Sequence, residues 1–350
     1  MAKSRAGALR TYVLRRLLLM IPTLLGITFI VFVLCQFVPG GPIDQVRLQM
    51  AGAGGGGEVA GAGGSDIART AIPPKQLEIL RQYYGFDKPI LVRYGLYLKN
   101  LATLNLGESQ RYLVPVWDLI VQRMPISLYY GLITTLLTYL VCIPLGIAKA
   151  LRHRSLFDNL TSAVIFIGYA IPGYALGAVL LVLLSVKYPI FPLSGFVGQN
   201  FDELSTLGKL KDLSAHTVLP LIALSIGSFA FMTMLMKNGL MENMGADYVK
   251  TALAKGMSWQ RAVFVHALRN SLIPLATSFG NIISLLVVGF LLIERVFGIH
   301  GMGLLFFDAM VARDYPLVMG VTVISSVLLL VGNLLSDLAV AFVDPRVRFG

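Results

Sequence analysis

Hydrophobic residues in this chain do not alternate with polar ones; they run in long, nearly uninterrupted blocks. Six blocks, at 17–39, 126–150, 160–186, 217–236, 271–293 and 319–343, are long enough to cross a bilayer. A hydrocarbon core of about 30 Å needs about 20 helical residues. Backbone groups in lipid must be satisfied within the segment, so the pattern predicts an all-α integral membrane protein with six transmembrane helices. The first block follows Lys3, Arg5, Arg10, Arg15 and Arg16 and ends in Pro39-Gly40-Gly41-Pro42. It exceeds the apolar core of a cleaved leader, about 7–15 residues, and reads as an uncleaved first span.

The intervals between blocks divide by length and charge. Residues 1–16 form a basic N-terminus, 40–125 a long external segment, 187–216 a shorter, loop-like external segment with one short helix, and 344–350 a basic tail. Within the long segment, 51–64 is a glycine-rich insertion read as a flexible spacer. After it, 74–85 and 89–104 show helical apolar spacing punctuated by Gly85 and Pro89. This predicts a small, mostly helical external subdomain between helices one and two. Every short basic stretch falls on the opposite side, at Arg152 and Arg154, in 237–270, and at Arg346 and Arg348.

Composition and charge narrow the picture further. Of 350 residues, 56% are hydrophobic and only 13% are charged, with mean hydropathy +0.75. That leaves too little polar cover for a soluble domain and excludes disorder. The formal charge of +11 would fit a nucleic-acid binder, but the whole excess lies on one side of the six-span topology. The positive-inside rule makes that side cytoplasmic, with both termini on it, and anionic lipid headgroups explain the charge better than nucleic acid.

Motifs of catalysis are absent. There is no phosphate-binding glycine-rich loop and no zinc-type spacing. Cys35 and Cys142 lie in apolar blocks, and His153, His216, His266 and His300 are scattered, as expected of hydrogen-bonded surface or interface residues. Lys149, at the edge of span two, is expected to snorkel to the headgroups. Asp337 lies inside span six. It is either a proton-coupling carboxylate, which would make the chain a secondary carrier, or a partner for a nearby arginine.

Two stretches carry candidate function. In 237–270 the spacing predicts two short helices bent at Gly256, which supplies the backbone freedom of the corner. Asp247 stands at a helix start, Ala252 and Ala254 are small, and Tyr248, Val249, Trp259, Val263 and Phe264 are apolar anchors. This is either a hairpin laid into a partner's groove or one packed under its own spans. In span three, Gly168-Tyr169-Ala170-Ile171-Pro172-Gly173 weakens a helix at mid-membrane. It is either a kink facing a polar path or a close-packing site of small residues. Thr134, Thr135 and Thr138, with Ser278, Asn281 and Ser284, either line such a path or hydrogen-bond between helices.

The loop resembles the cytoplasmic coupling loop of ABC importer permeases, in the dipeptide/oligopeptide version. The matching residues are Ala252, Ala254, Lys255 and Gly256, then His266, Leu268, Arg269, Asn270 and Pro274; Lys250 and Thr251 depart from the general motif. Leu14-Arg15-Arg16-Leu17, Tyr84 to Pro89, Leu106-Gly107-Glu108-Ser109, Arg313-Asp314-Tyr315-Pro316 and Asp344 to Arg348 extend the resemblance in order along the chain. The glycine-rich insertion, Phe191 to Gly195 and Asn200-Phe201-Asp202 are most similar to the microcin C/peptide permease branch.

The resemblance implies a type I ABC importer permease fold in a bacterial inner membrane, with 40–125 periplasmic. It implies a second homologous permease as heterodimer partner, two cytoplasmic ABC ATPase subunits or one fused ATPase, and a periplasmic peptide-binding protein. ATP and Mg would be bound by the ATPases and no cofactor by this chain. Asp247, Tyr248, Ala252, Ala254, Lys255, Gly256, Trp259, His266, Arg269 and Asn270 would form the ATPase-coupling loop. The tentative translocation path would comprise Thr134, Thr135, Thr138, Tyr169, Pro172, Ser278, Asn281 and Ser284.

Overall fold

The computed structural model describes residues 2–37, 88–278 and 290–343. The glycine-rich insertion, the expected helix at 74–85, Asn281, Ser284 and the basic tail lie outside the described residues, as does the middle of the fifth expected span, 279–289. Regular structure among the described residues is helical, apart from one isolated bridge between Glu108 and Pro115.

Four helices are long and apolar enough to cross a membrane. They are α1 (Ala2–Phe37), α3 (Val116–Leu151), α6 (Thr206–Met244) and α12 (Tyr315–Val343), with α2 (Ile90–Ala102) between the first two. The helices overrun the apolar blocks. At 1.5 Å per residue the 36-residue α3 and the 39-residue α6 reach about 54–58 Å, well beyond the hydrocarbon. Lipid contact sets the hydrophobic block, whereas a cap sets the helix end. The helix α6 starts where Ser205 Oγ accepts the Gly208 N–H at 3.3 Å. The part of the 187–216 segment from 206 on, a segment expected as loop-like with one short helix, is therefore the extension of span four.

The third expected span is corrected from one helix to two. Helix α4 (Leu156–Ala170) and α5 (Gly173–Leu181, continued as a π-helix over Val182–Lys187) meet at an angle of 89°. Ile171 is extended (φ −90°, ψ 121°), as the residue before a proline prefers, and Pro172 cannot donate back into the preceding turn. With this pair taken as one broken span, five spans stand among the described residues.

The chain divides into two compact units. One holds residues 1–21, 123–305 and 324–350. Its larger apolar cluster joins Cys142 and Ala150 of α3, Met232, Met236 and Leu240 of α6, and Val249, Ala262, Val263, Ala267 and Leu275. A second cluster joins Tyr130, Leu219, Ala223, Ile293, Phe297 and Ile299. Nearby, α10 (Leu291–Val296) carries buried Glu294, whose carboxylate accepts Leu304 N at 2.7 Å and Ser127 Oγ at 3.1 Å. This places a negative group at the start of α11 (Met302–Ala312), where the helix dipole favours it.

The other unit holds 22–122 and 306–323. Helix α2, as expected from the spacing of 89–104, packs on the second half of α1. Tyr94 hydrogen-bonds Thr28 and the Leu25 carbonyl, both at 2.9 Å, and Arg93 donates to Gln36. In the same unit, fully buried Asp314 accepts hydrogen bonds from Ser109 Oγ, from Arg111 N at 3.1 Å and from Leu317 N at 3.2 Å. The last bond caps α12.

Candidate functional site

The hairpin expected in 237–270 is present. Helix α7 (Asp247–Ala254) ends at Gly256, with φ +86°. Met257 N donates to Ala252 O at 3.2 Å and Gly256 N to Leu253 O at 2.9 Å. These paired bonds satisfy the last carbonyls of the helix, and the left-handed residue between them is a conformation that suits glycine. The chain then enters α8 (Trp259–Ala262), which runs through a π-helical turn (Val263–Ala267) into α9 (Leu268–Ser271).

One face of this hairpin is core. Val249, Ala262, Val263 and Ala267 are buried against Met236 and Leu240. Val249 and Val263, expected as anchors for a partner, are thus anchors to the chain's own α6. Ser271 Oγ adds a 3.1 Å bond to the Gly239 carbonyl of that helix. The opposite face is uncovered: Tyr248, Leu253, Trp259, Phe264 and Val265 are each more than a third exposed. Asp247 caps no N–H and instead pairs with Lys250 Nζ at 3.0 Å. Tyr248 donates to Asn243 Oδ1.

A groove of 570 Å³ lies at the bend between α7 and α8, lined by Tyr248, Thr251, Ala252, Lys255, Gly256, Met257, Ser258, Arg261 and His266. It brings together Tyr248, Ala252, Lys255, Gly256 and His266 from the expected set. Asp247, Ala254, Trp259, Arg269 and Asn270 lie on the hairpin but outside the groove. Thr251, Met257, Ser258 and Arg261 join it through the turn geometry. Its charged lining is basic, and a β-carbon placed on Gly256 would meet no atom within 4 Å.

Beside the hairpin's base lies an ionic cluster absent from the sequence-based expectation. Lys149 does not snorkel; it is fully buried. Its ammonium lies 2.8 Å from the Asp158 carbonyl, Thr161 Oγ1 and Ser162 Oγ, and 3.0 Å from Asp158 Oδ1. Lys237 of α6 is 2.8 Å from both carboxylate oxygens of Asp158. Arg154 N and His153 Nδ1 approach Oδ2 at 3.1 and 3.4 Å. The missed signal was a short-range one: Lys149 and Asp158 flank a tight turn, and Lys237 follows directly on the apolar stretch of α6.

At the break in span three the glycines are packing residues. A β-carbon on Gly173 would lie 2.3 Å from the Ala223 carbonyl, and one on Gly168 would lie 2.7 Å from Ile226. Tyr169 and Pro172 are exposed. A groove of 390 Å³ lies beside the break, lined by Gly173, Tyr174, Ala223, Leu224, Gly227, Ser228 and the segment 290–293. Thr134, Thr135 and Thr138 are buried in α3 rather than on this groove; Thr135 bonds the Gly131 carbonyl at 2.8 Å. The hydroxyls of Thr134, Thr138, Ser225 and Thr233 are buried without a hydrogen-bond partner among the described residues. Ser278 donates to the Pro274 carbonyl at 3.0 Å.

Asp337 has an arginine partner. Arg16 Nη2 of α1 lies 2.9 Å from its Oδ2, and Arg16 Nε donates to Tyr12 Oη at 3.0 Å. This is the pairing alternative for an intramembrane carboxylate. Among the described residues no three His, Cys, Asp or Glu side chains gather so as to hold a metal ion.

Residues 142–349 match the family described as binding-protein-dependent transport system inner membrane component. The chain is 40% identical to the peptidoglycan transport system permease protein YejB of Agrobacterium fabrum, covering 97% of this chain and 98% of that one. It is 35% identical to the oligopeptide transport system permease protein AppB of Bacillus subtilis, over 97% and 99%. It is 32% identical to the dipeptide transport system permease protein DppB of Escherichia coli K12, over 96% and 98%. A multi-span helical chain with a loop hairpin of this kind, matched along nearly its whole length, belongs to the family of binding-protein-dependent inner membrane transport components, as an ABC importer permease of the dipeptide/oligopeptide type.

Proposed function

We propose that this chain is the gate-forming permease subunit of an ATP-driven importer that carries peptides or peptide-like compounds across the bacterial inner membrane. It would pair with a second, homologous permease, receive substrate from a periplasmic peptide-binding protein, and be moved by cytoplasmic ABC ATPases that bind the ATP and Mg. Both termini and the hairpin would face the cytoplasm. Among the peptide importers, the resemblance of the glycine-rich insertion, Phe191 to Gly195 and Asn200-Phe201-Asp202 supports the microcin C/peptide branch.

The observation that carries this reading is the two-sided hairpin: one face buried in the chain's own core, the other exposed around a basic groove at Gly256. A lever needs both, since force received on the outer face must reach the spans through packed side chains. Closure of the ATPases would push the hairpin and tilt α6, giving two states with different partner contacts. The broken span at Pro172 and the groove beside it form the best-placed surface for substrate passage. No observation favours the proton-coupled carrier.

The test is Gly256→Asp in the reconstituted complex. A β-carbon at this site meets no atom within 4 Å but must be carried at φ +86°, at a cost of about 1 kcal/mol, and the carboxylate would fill the docking surface. Membrane insertion should be intact and ATP-dependent peptide uptake lost while ATP hydrolysis persists. Unchanged uptake overturns the docking role.

A further inference from the structure

The Lys149–Asp158–Lys237 cluster places two ammonium groups on one buried carboxylate. Burying ions is costly, and an apolar contact of similar volume is often as stable. Fixing one register between packed elements is the best-attested use of such a group. The two lysines do different work here. Lys149 is saturated by α4 itself, through the Asp158 carbonyl, Thr161 and Ser162, and so ties the end of α3 to the start of α4. Lys237 touches α4 through the Asp158 carboxylate, with both oxygens at 2.8 Å.

Lys237 is also next to the hairpin's seat. Its neighbours in α6, Met236 and Leu240, are the residues on which Val249, Val263 and Ala267 pack. On the other side of the pair, α4 runs as one uninterrupted helix from Asp158 to the break at Ile171-Pro172. The two helices also pack through apolar contacts, Gly168 against Ile226 among them, and the Lys237–Asp158 pair adds a charged, directional contact to that packing.

We propose that Lys237 is a positioning residue for transport: its pair with Asp158 is the latch through which displacement of the hairpin is handed to α4 and so to the break beside the 390 Å³ groove. This rests on the reading of the chain as an ATPase-driven permease. Without the latch, α6 moves with the hairpin and slides past α4. ATP is then hydrolysed without the break being moved.

The experiment uses the complete importer in proteoliposomes, with wild type, Lys237→Met, Lys237→Gln and Lys237→Arg. For each, assembled complex, ATP hydrolysis and peptide uptake are measured on the same preparation. In Lys237→Met, assembly and ATP hydrolysis should stay within about twofold of wild type while uptake per ATP falls by at least about tenfold. Arg, which keeps a paired cation, should restore most of the coupling, and Gln, which keeps a donor without the charge, should fall between. Uptake per ATP unchanged in Met and Gln overturns the latch. So does loss of uptake and hydrolysis in proportion to lost assembly in both variants, which would make the cluster structural. Failure of the wild-type complex to take up peptide in response to ATP would instead strike the functional reading on which the latch rests.

Discussion

Asp314 joins two short stretches of the sequence that lie some 200 residues apart. Its buried carboxylate receives the Ser109 hydroxyl, the Arg111 amide and the Leu317 amide, all donors. In Asp314→Asn one acceptor oxygen becomes an NH2 group facing donors, so at least one buried N–H or O–H loses its partner. The expected destabilisation is about 1–3 kcal/mol, seen as a lower unfolding midpoint in detergent. Asp308→Asn is the matched control, because Asp308 offers Arg111 its backbone carbonyl. Equal midpoints for the two variants would show that Asp314 does not hold this corner. Ser109 and Asp314 were visible in the sequence as parts of family-like stretches, yet nothing in their spacing paired them. Lys149 and Lys237 were hidden for a related reason. A lone lysine beside an apolar block reads as a snorkelling group until a carboxylate from another helix is placed against it.

Elements were more legible than their ends. A block of apolar residues reports where a helix meets lipid, so α3 and α6 were seen but their extensions beyond it were not. The hairpin bend at Gly256 was legible because a left-handed backbone demands an unusual residue. The right-angled break at Pro172 was legible as weakness but not as an angle, because the angle depends on α5 docking on α6. Gly173 and Gly177 permit that docking: a β-carbon on Gly177 would lie 3.2 Å from Ala223 Cβ. With the Phe297 ring, 2.9 Å from the same β-carbon, shifting and the helices parting by a few tenths of an ångström, a Gly177→Cys/Ala223→Cys pair, with Cys35 and Cys142 replaced by alanine, should oxidise to a disulfide, whose β-carbons need about 3.5–4.5 Å. Adding Pro172→Ala should leave the cross-link yield unchanged, because packing rather than the proline ring holds α5 in place. A cross-link abolished by Pro172→Ala would assign the bend to the proline alone.

At the scale of the whole molecule, charge decides which way the chain lies. In the six-span topology expected from the sequence, the +11 excess falls on the side that would carry the hairpin, the turn at Arg152 to Arg154 and both termini. Carrying such basic stretches across the membrane is disfavoured during insertion. The lysines on Asp158 hold their charges within the fold, whereas Arg16, paired with Asp337, is nearly half exposed and Arg152, Lys255 and Arg261 are exposed. The orientation is therefore testable with single cysteines in a chain lacking Cys35 and Cys142. Arg152→Cys and Lys255→Cys should react with a membrane-impermeant maleimide in inverted vesicles and not in intact spheroplasts. Lys209→Cys, in the extension of α6 before span four, should show the reverse. Labelling of Lys255→Cys from outside would put the hairpin beyond the reach of any cytosolic ATPase. It would remove the orientation and the drive mechanism together, because both depend on that one face meeting the compartment that holds ATP.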